Sequence, residues 1–254
     1  MMVINIPSNI DFTKLSDKYI FFGHQSLGAN ILNGIQEIIN IQNDNNHFSI
    51  VNTHLPKHLD SPALYHSFIG ENLDPISKIN GFKKILIDEQ LGDFLDIAFF
   101  KFCYVDIKRN TDIKAIFTDY KKAIEEIQSA YPNIKIIHFT APLKAHKIKL
   151  QKHLIKGMKY IVKNKVLGDL DNVKRNQYNQ LIRGKFGNNG NLFDLAELEC
   201  HNNDNSESSF RYGHTYYSCL SRDLTEDGGH LNHSGQLKIG SDLLKFLVKI
   251  TINK

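Results

Sequence analysis

Short apolar runs alternate with amphipathic helical segments through this chain, and no other feature of the sequence limits its fold as strongly. The run at 97–104 (IAFFKFCY) is apolar at odd and even positions alike except for Lys101, which is typical of a central strand covered on both faces. Similar, shorter runs predict four further strands, at 19–22, 48–52, 134–139 and 191–196.

Segments with apolar residues at helical spacing lie between and after these strands. Asp74 and Pro75 are typical of an N-cap and the first position of a helix, so one helix is predicted to begin there. The predicted helices are 27–40, 75–87, 112–130, 171–184 and 233–250. Strands that alternate with helices are joined by right-handed crossovers, which predicts an α/β fold whose parallel sheet has helices on both faces.

The sequence shows no internal repeat and no long linker, which favours a single domain over 1–254. Polar loops or insertions are predicted near 53–72, 144–170 and 200–222. Hydrophobic residues make up 41% of the chain and charged residues 23%, as in ordinary soluble globular proteins. No run approaches the roughly 20 apolar residues that a membrane-spanning helix needs.

The net charge is only +4, and the lysines are spread along the chain rather than gathered in a basic stripe with aromatic residues between them. This distribution argues against a nucleic-acid partner. The N-terminus lacks a basic segment followed by an apolar one, so no signal peptide is predicted. We expect a cytoplasmic protein if the chain is complete, and a secreted or periplasmic one if a leader has been removed. The sequence does not indicate an oligomeric state.

The three cysteines, Cys103, Cys200 and Cys219, are not in CxxC spacing, which argues against structural zinc. Cys200 and Cys219 flank a polar segment and could form a disulfide in an oxidising compartment. The other interpretation is three reduced thiols.

Polar residues follow the predicted strands, and ligands of parallel sheets bind beyond the carboxyl ends of the strands. These polar groups are Gly23-His24-Gln25-Ser26, the region of Gly70, Cys103–Asp106, Thr140–Pro142 and Asp194. The segment DGGHLNHSG, from Asp227 to Gly235, precedes the last helix and is expected at the same edge.

Ser26 lies directly after a buried strand, at the beginning of a helix. A nucleophile fits this position because the free N–H groups of the first helical turn can stabilise an oxyanion. Serine is also a common N-cap whatever the function of the protein, and the residue by itself does not separate the two interpretations.

Asp227 and His230 are three residues apart in a turn that contains two glycines. The aspartate could orient the imidazole, and the other ring nitrogen could then take a proton from a serine. Asp-Gly-Gly is also a common surface turn. His230 and His233 could alternatively bind a metal together with Asp227, although no further ligands stand at fixed spacing.

These residues together resemble the SGNH (GDSL-like) hydrolase family, in matching order from residue 19 to residue 250. The resemblance implies a flavodoxin-like three-layer α/β/α fold with a central parallel sheet of about five strands. It also implies a nucleophile at Ser26, orientation of the general base His230 by Asp227, and oxyanion donors at the backbones of Ser26 and Gly70. No metal or other cofactor is implied.

Two blocks depart from the family pattern. The first reads Gly23-His24-Gln25-Ser26 where the family has Gly-Asp-Ser, and the third lacks the asparagine of Gly-x-Asn-Asp, with Tyr104 and Asp106 in that region. The Tyr104 hydroxyl could supply the third oxyanion donor, or Asn72, Gln25 or His24 could. Candidate substrate-binding residues are His24, Gln25, Asn72 and Asp106.

The family resemblance implies a serine esterase that acts on a small-molecule or carbohydrate ester, with acetylated carbohydrates as a plausible class. Three alternatives are a catalytically degenerate binding protein on the same scaffold, a metal-dependent phosphoesterase, and an acyltransferase.

Two further expectations concern whether particular polar side chains are buried or exposed. Lys101 is expected to reach the end of its strand or to meet a carboxylate, because an unpaired buried charge is costly. Arg175, Asn179 and Arg183 recur at helical spacing, which favours a solvated helix face.

Overall fold

The computed structural model describes residues 10–42, 48–53, 59–146 and 158–252. Six parallel strands form the central sheet, in the order β2-β3-β1-β4-β5-β6. The strands are β1 Tyr19–His24, β2 Ile50–Asn52, β3 Ala63–Phe68, β4 Ile97–Phe100, β5 Lys135–Phe139 and β6 Leu192–Phe193. The predicted fold class is therefore confirmed, with six strands rather than about five.

The described residues include six α-helices, and several begin at an aspartate that accepts hydrogen bonds from free N–H groups of the first turn. Asp74 caps α2 in this way, and Asp112 caps α3. The helices are α1 Ser26–Gln42, α2 Pro75–Ile87, α3 Ile113–Ala130, α4 Met158–Phe186, α5 Leu195–Cys200 and α6 His233–Ile252. Within the described ranges, no helix is long and apolar enough to cross a bilayer.

Alternate residues of the central strands enter two separate cores, one on each face of the sheet. Phe22 and Phe99 pack with α1 and α6, whereas Phe21 and Phe100 pack with α2 and α3. This double burial explains why β4 is apolar at every position and why β1 is apolar from Tyr19 to Phe22.

The helices α1 and α6 pack so closely that a Cβ at Gly34 would lie 1.9 Å from the Gln236 carbonyl oxygen. Lys135, the first residue of β5, donates to the Ile250 carbonyl near the end of α6. The helix α6 therefore ends at the amino edge of the sheet and begins at the carboxyl edge, where α1 also begins directly after β1.

The loop predicted near 53–72 contains strand β3, and the prediction of a continuous loop there was wrong. The segment ALYHSF is buried only in its first half, Ala63–Tyr65, so its apolar run is too short to stand out as a strand. Residues 54–58 of the predicted loop lie outside the described residues. The predicted strand at 191–196 is also shorter, because Asp194 caps α5.

The polar segment near 200–222 contains an antiparallel hairpin, formed by β7 Ser209–Tyr212 and β8 Thr215–Ser218. Cys200 and Cys219 flank this hairpin as free, buried thiols, so they do not form a disulfide. In the third predicted loop, near 144–170, residues 147–157 lie outside the described residues and α4 already begins at Met158.

Candidate functional site

Asp227 and His230 form a hydrogen-bonded pair at the carboxyl edge of the sheet. His230 Nδ1 lies 2.7 Å from Asp227 Oδ2, while Oδ1 accepts from the backbone N–H groups of Gly229 and His230. The hydrogen bond from His230, together with the two backbone donors, holds the pKa of Asp227 well below its usual range. A charged carboxylate only accepts, so Nδ1 carries the proton. His230 Nε2 makes no hydrogen bond to a described residue and is free to act as a base.

A network of short bonds holds the turn that contains this pair. Thr225 Oγ1 donates to the His230 carbonyl at 2.6 Å and accepts from the Gly228 N–H at 3.0 Å. Gly228 has a φ of +85°, a conformation that favours glycine. Its carbonyl accepts from the N–H of Ala145, which follows β5, and this bond ties the turn to the edge of the sheet.

Tyr104 packs edge-on against the His230 ring, with ring centroids 5.7 Å apart. A Cβ at Gly229 would lie 2.9 Å from the Tyr104 ring, so only glycine leaves room for this contact. Lys144 Nζ lies 4.8 Å from the centre of the Tyr104 ring, and burial raises the pKa of the phenol. The structure therefore places Tyr104 beside the general-base candidate.

Ser26 is the first residue of α1 and is exposed at the carboxyl edge. Its neighbour Gln25 reaches across to the loop after β3, where its side-chain amide donates to the carbonyls of Ile69 and Gly70 at 3.1 and 2.8 Å. The Ile69 N–H in turn donates to the His24 carbonyl. These bonds bring Ser26 and Gly70 to adjacent loops.

Gly70 follows β3, the third strand along the chain rather than the second as predicted. It has a φ of +54°, and a Cβ there would lie 2.5 Å from the Lys78 backbone nitrogen. Any other residue would therefore be strained and crowded at this position. Among the described residues, none accepts a hydrogen bond from the Gly70 N–H or from the Ser26 N–H. Neither donor is therefore used within the described part of the fold.

Asp106 joins the loops after β3 and β4. Its fully buried carboxylate pairs with Lys78 Nζ at 2.6 Å and accepts from the backbone N–H groups of Leu73 and Cys103. Lys78 also donates to Oδ1 of the exposed Asn72. Asp106, a substrate-binding candidate from the sequence, is therefore placed behind the site, where it holds backbone.

His24 lies under the site rather than facing it. Its side chain is buried against Phe22, Nδ1 lies 2.9 Å from the Gln25 carbonyl and Nε2 lies 3.0 Å from Nδ1 of His66. Burial lowers the pKa of His24 to about 3, so the ring is neutral at ordinary pH. His24, a substrate-binding candidate from the sequence, is thus buried and bonded to backbone and to His66.

A polar stripe on α4, formed by Asn172, Arg175, Asn176 and Asn179, is buried. The expectation of a solvated face was therefore wrong for Arg175 and Asn179. The stripe holds the segment after β5 and the loop after β4 through side-chain hydrogen bonds to backbone. Asn179 bonds both the N–H and the carbonyl of Ala141, and Arg175 donates to the Tyr104 carbonyl at 2.7 Å. The signal for this stripe in the sequence was the i, i+3, i+4, i+7 spacing of its four residues. Their amide and guanidinium groups can form hydrogen bonds with buried backbone groups.

Lys101 is buried, and its ammonium donates to the neighbouring Phe102 carbonyl at 3.3 Å rather than to Asp106, which pairs with Lys78. Burial lowers the pKa of Lys101. Burial also raises the pKa of the nearby Glu199 to about 8, although Glu199 accepts from the Leu143 N–H. The two side chains therefore shift towards their neutral forms.

His233 faces away from the Asp227–His230 pair. Its Nε2 lies 2.8 Å from a carboxylate oxygen of Glu37 on α1. Among the described residues, the ligand atoms that gather within 4.8 Å belong to Glu197, Cys200 and His201. The structure thus does not bring His233, His230 and Asp227 together as one ligand set.

Comparison with known proteins gives a likeness in structure alone. No protein-family model matches the chain, and no curated protein does. A solved structure from Streptococcus pneumonia, described as a candidate platelet activating factor, is 13% identical over 91% of this chain and 84% of that chain, with a TM-score of 0.54. This likeness shows a shared fold.

Two other solved structures align less well. A peptidoglycan O-acetylesterase is 11% identical over 76% of this chain and 48% of its own, with a TM-score of 0.45. The periplasmic domain of a lipopolysaccharide acetyltransferase from Salmonella ser. Paratyphi A is 14% identical over 94% of this chain and 85% of its own, with a TM-score of 0.46.

Proposed function

We propose that this protein is a serine esterase of the SGNH type, with Ser26 as the nucleophile, His230 as the general base and Asp227 as the residue that orients it. The observation that carries the proposal is the 2.7 Å hydrogen bond from His230 Nδ1 to Asp227 Oδ2, which leaves Nε2 without a partner among the described residues. A serine hydroxyl becomes an effective nucleophile only when such a base takes its proton.

In the proposed reaction, Ser26 Oγ attacks the ester carbonyl carbon while His230 Nε2 takes the hydroxyl proton. The backbone N–H groups of Ser26 and Gly70 donate to the resulting oxyanion. The tetrahedral intermediate collapses, the bond to the leaving oxygen breaks, and His230 protonates that oxygen. Water then attacks the acyl-enzyme with His230 again as base, which releases the acid and restores Ser26.

The third oxyanion donor of the family pattern has no direct replacement at its position. Tyr104 lies against His230, and the Gln25 amide already holds the Gly70 loop. The amide nitrogen of Asn72 is the best placed of the sequence candidates, because its Oδ1 accepts from Lys78 and the group is exposed next to Gly70. Loss of one such donor costs about 3–4 kcal/mol of transition-state stabilisation, so turnover is expected to be slow unless Asn72 supplies the third hydrogen bond.

A small-molecule or carbohydrate ester fits this site best. The leaving oxygen has to reach His230, which lies among Tyr104, Lys144 and the polar turn at 227–230, and such surroundings suit a polar alcohol such as a sugar hydroxyl. The same residues could pass the acyl group to a sugar acceptor instead of water.

Hydrolysis of 4-nitrophenyl acetate by Ser26→Ala tests the proposal, with Ser16→Ala as the matched control at the amino edge. We expect Ser26→Ala to lose activity at an unchanged melting temperature, and Ser16→Ala to keep it. A fluorophosphonate probe should label Ser26 in the native protein. Undiminished activity in Ser26→Ala would reject the assignment, and absence of both labelling and turnover would favour a binding protein on this scaffold.

A further inference from the structure

Two large apolar side chains near Gly70 in the sequence, one before it and one after it, are exposed to solvent. Phe68 is 65% exposed and Leu73 is 61% exposed. Phe68 ends β3, and Leu73 lies in the short loop before α2, so both belong to the segment that presents the free Gly70 N–H. Two such residues beside an oxyanion donor point to contact with the substrate.

Leu73 is held in a strained backbone conformation. Its φ is +75°, a region that leucine rarely adopts and that glycine adopts without strain. The Leu73 N–H donates to the buried Asp106 carboxylate at 3.0 Å, and this bond fixes the strained geometry. A strained residue whose side chain is exposed gains nothing from packing in the free protein, so a role in binding is the simplest reason for leucine here.

Phe68 is oriented by the core beneath it. Its ring meets the buried His24 ring edge-on, with centroids 5.2 Å apart, and His24 is itself held by the Gln25 carbonyl and His66. The exposed ring is therefore anchored on one side. It lies over the strand end that leads through Gln25 to Ser26.

The chemistry of the proposed reaction separates the two halves of the ester. The leaving oxygen must face His230 to be protonated, on the polar side that holds Tyr104 and Lys144. The carbonyl oxygen faces the N–H groups of Ser26 and Gly70. The acyl chain then extends towards the Gly70 loop, the segment that carries both apolar side chains.

We propose that Phe68 and Leu73 form an acyl subsite that selects esters of short apolar acids longer than acetate. This inference rests on the proposed esterase function. Burial of one methylene between the two side chains would raise kcat/KM by up to about fourfold. The native protein should therefore prefer 4-nitrophenyl butyrate to propionate and propionate to acetate.

The test measures kcat/KM for these three esters in the native protein, Phe68→Ala and Leu73→Gly. Both variants should flatten the dependence on chain length, and Leu73→Gly should melt no lower than the native protein because glycine relieves the strain. Gln90→Gly is the matched control for Leu73, since Gln90 has a φ of +60° near the amino edge. Phe94→Ala is the control for Phe68, as another exposed phenylalanine at that far edge. Both controls should keep the native chain-length preference.

Ser26→Ala separates this inference from the function on which it rests. Ester hydrolysis that depends on Ser26 but shows no chain-length preference, or keeps its preference in both site variants, overturns the acyl subsite alone. Native hydrolysis that does not depend on Ser26 overturns the proposed function and the subsite with it.

Discussion

Lys78 Nζ lies 2.6 Å from the Asp106 carboxylate, and neither side chain is exposed to solvent. Asp106 also accepts from backbone N–H groups of the two loops that follow β3 and β4. One buried ion pair thus joins the loop that presents Gly70 to the loop that presents Tyr104. The relative position of the two loops of the candidate site therefore depends on a fully buried contact.

Asp106→Asn should lower the free energy of unfolding by about 3–5 kcal/mol, because it leaves the Lys78 ammonium buried without a counter-charge. Urea denaturation measures the change. Glu126→Gln is the control, since it breaks the exposed Lys83–Glu126 pair and should change stability little. Equal effects of the two substitutions would show that the buried pair does not hold the fold in this way.

Asp227→Asn should lower kcat for ester hydrolysis on the order of 10³- to 10⁴-fold, because an amide no longer fixes the His230 tautomer or stabilises the imidazolium. Thermal unfolding should change much less, since the turn is also held by Thr225. Steady-state kinetics provide the measurement, and Glu226→Gln, the neighbouring exposed carboxylate, is the control. A native kcat in Asp227→Asn would remove Asp227 from the mechanism.

The stability of the protein should fall as the pH drops from about 6.5 towards 3, in part because of His24. Its pKa is about 3 in the folded chain because it is buried, whereas the unfolded chain takes up a proton near pH 6.5. Within that window the unfolded state binds more protons, at a cost of up to about 1.4 kcal/mol per pH unit for one such group. NMR titration should find the His24 ring neutral at pH 5, and protonation near pH 6.5 would contradict its burial.

Glu199 should have the opposite effect to His24 on the pH dependence of stability, because it stabilises the folded state at low pH and not at high pH. Burial raises its pKa to about 8, so between pH 4.5 and 8 the folded state holds a proton that the unfolded state has lost. Its contribution to stability is therefore present below pH 4.5 and disappears as the pH rises to about 8. Glu199→Gln, which retains an acceptor for the Leu143 N–H, should be more stable than the native protein at pH 8.5 and similar at pH 5. Urea midpoints at the two pH values measure this, and an equal difference at both would show that the carboxyl does not titrate in this range.

Much of the fold could be predicted from local patterns. The runs at β1, β4 and β5 are apolar because both faces of these strands are buried, and Asp74 and Asp112 cap their helices through short-range bonds to the following N–H groups. The Asp227–His230 pair could also be predicted from a local pattern. Only two residues of a tight turn separate Asp227 from His230, so their bond needs little from the rest of the chain. The meeting of Ser26 with His230 stays a prediction.

Tertiary structure alone decided which distant polar groups share a partner. Gln25 holds the Gly70 loop, Lys78 rather than Lys101 pairs with Asp106, and the polar stripe on α4 is buried against the segment after β5. A polar side chain looks the same in a sequence whether water or a buried backbone group satisfies it. The choice depends on which loops the packed sheet brings to its carboxyl edge, and that is a property of the whole chain rather than of any segment.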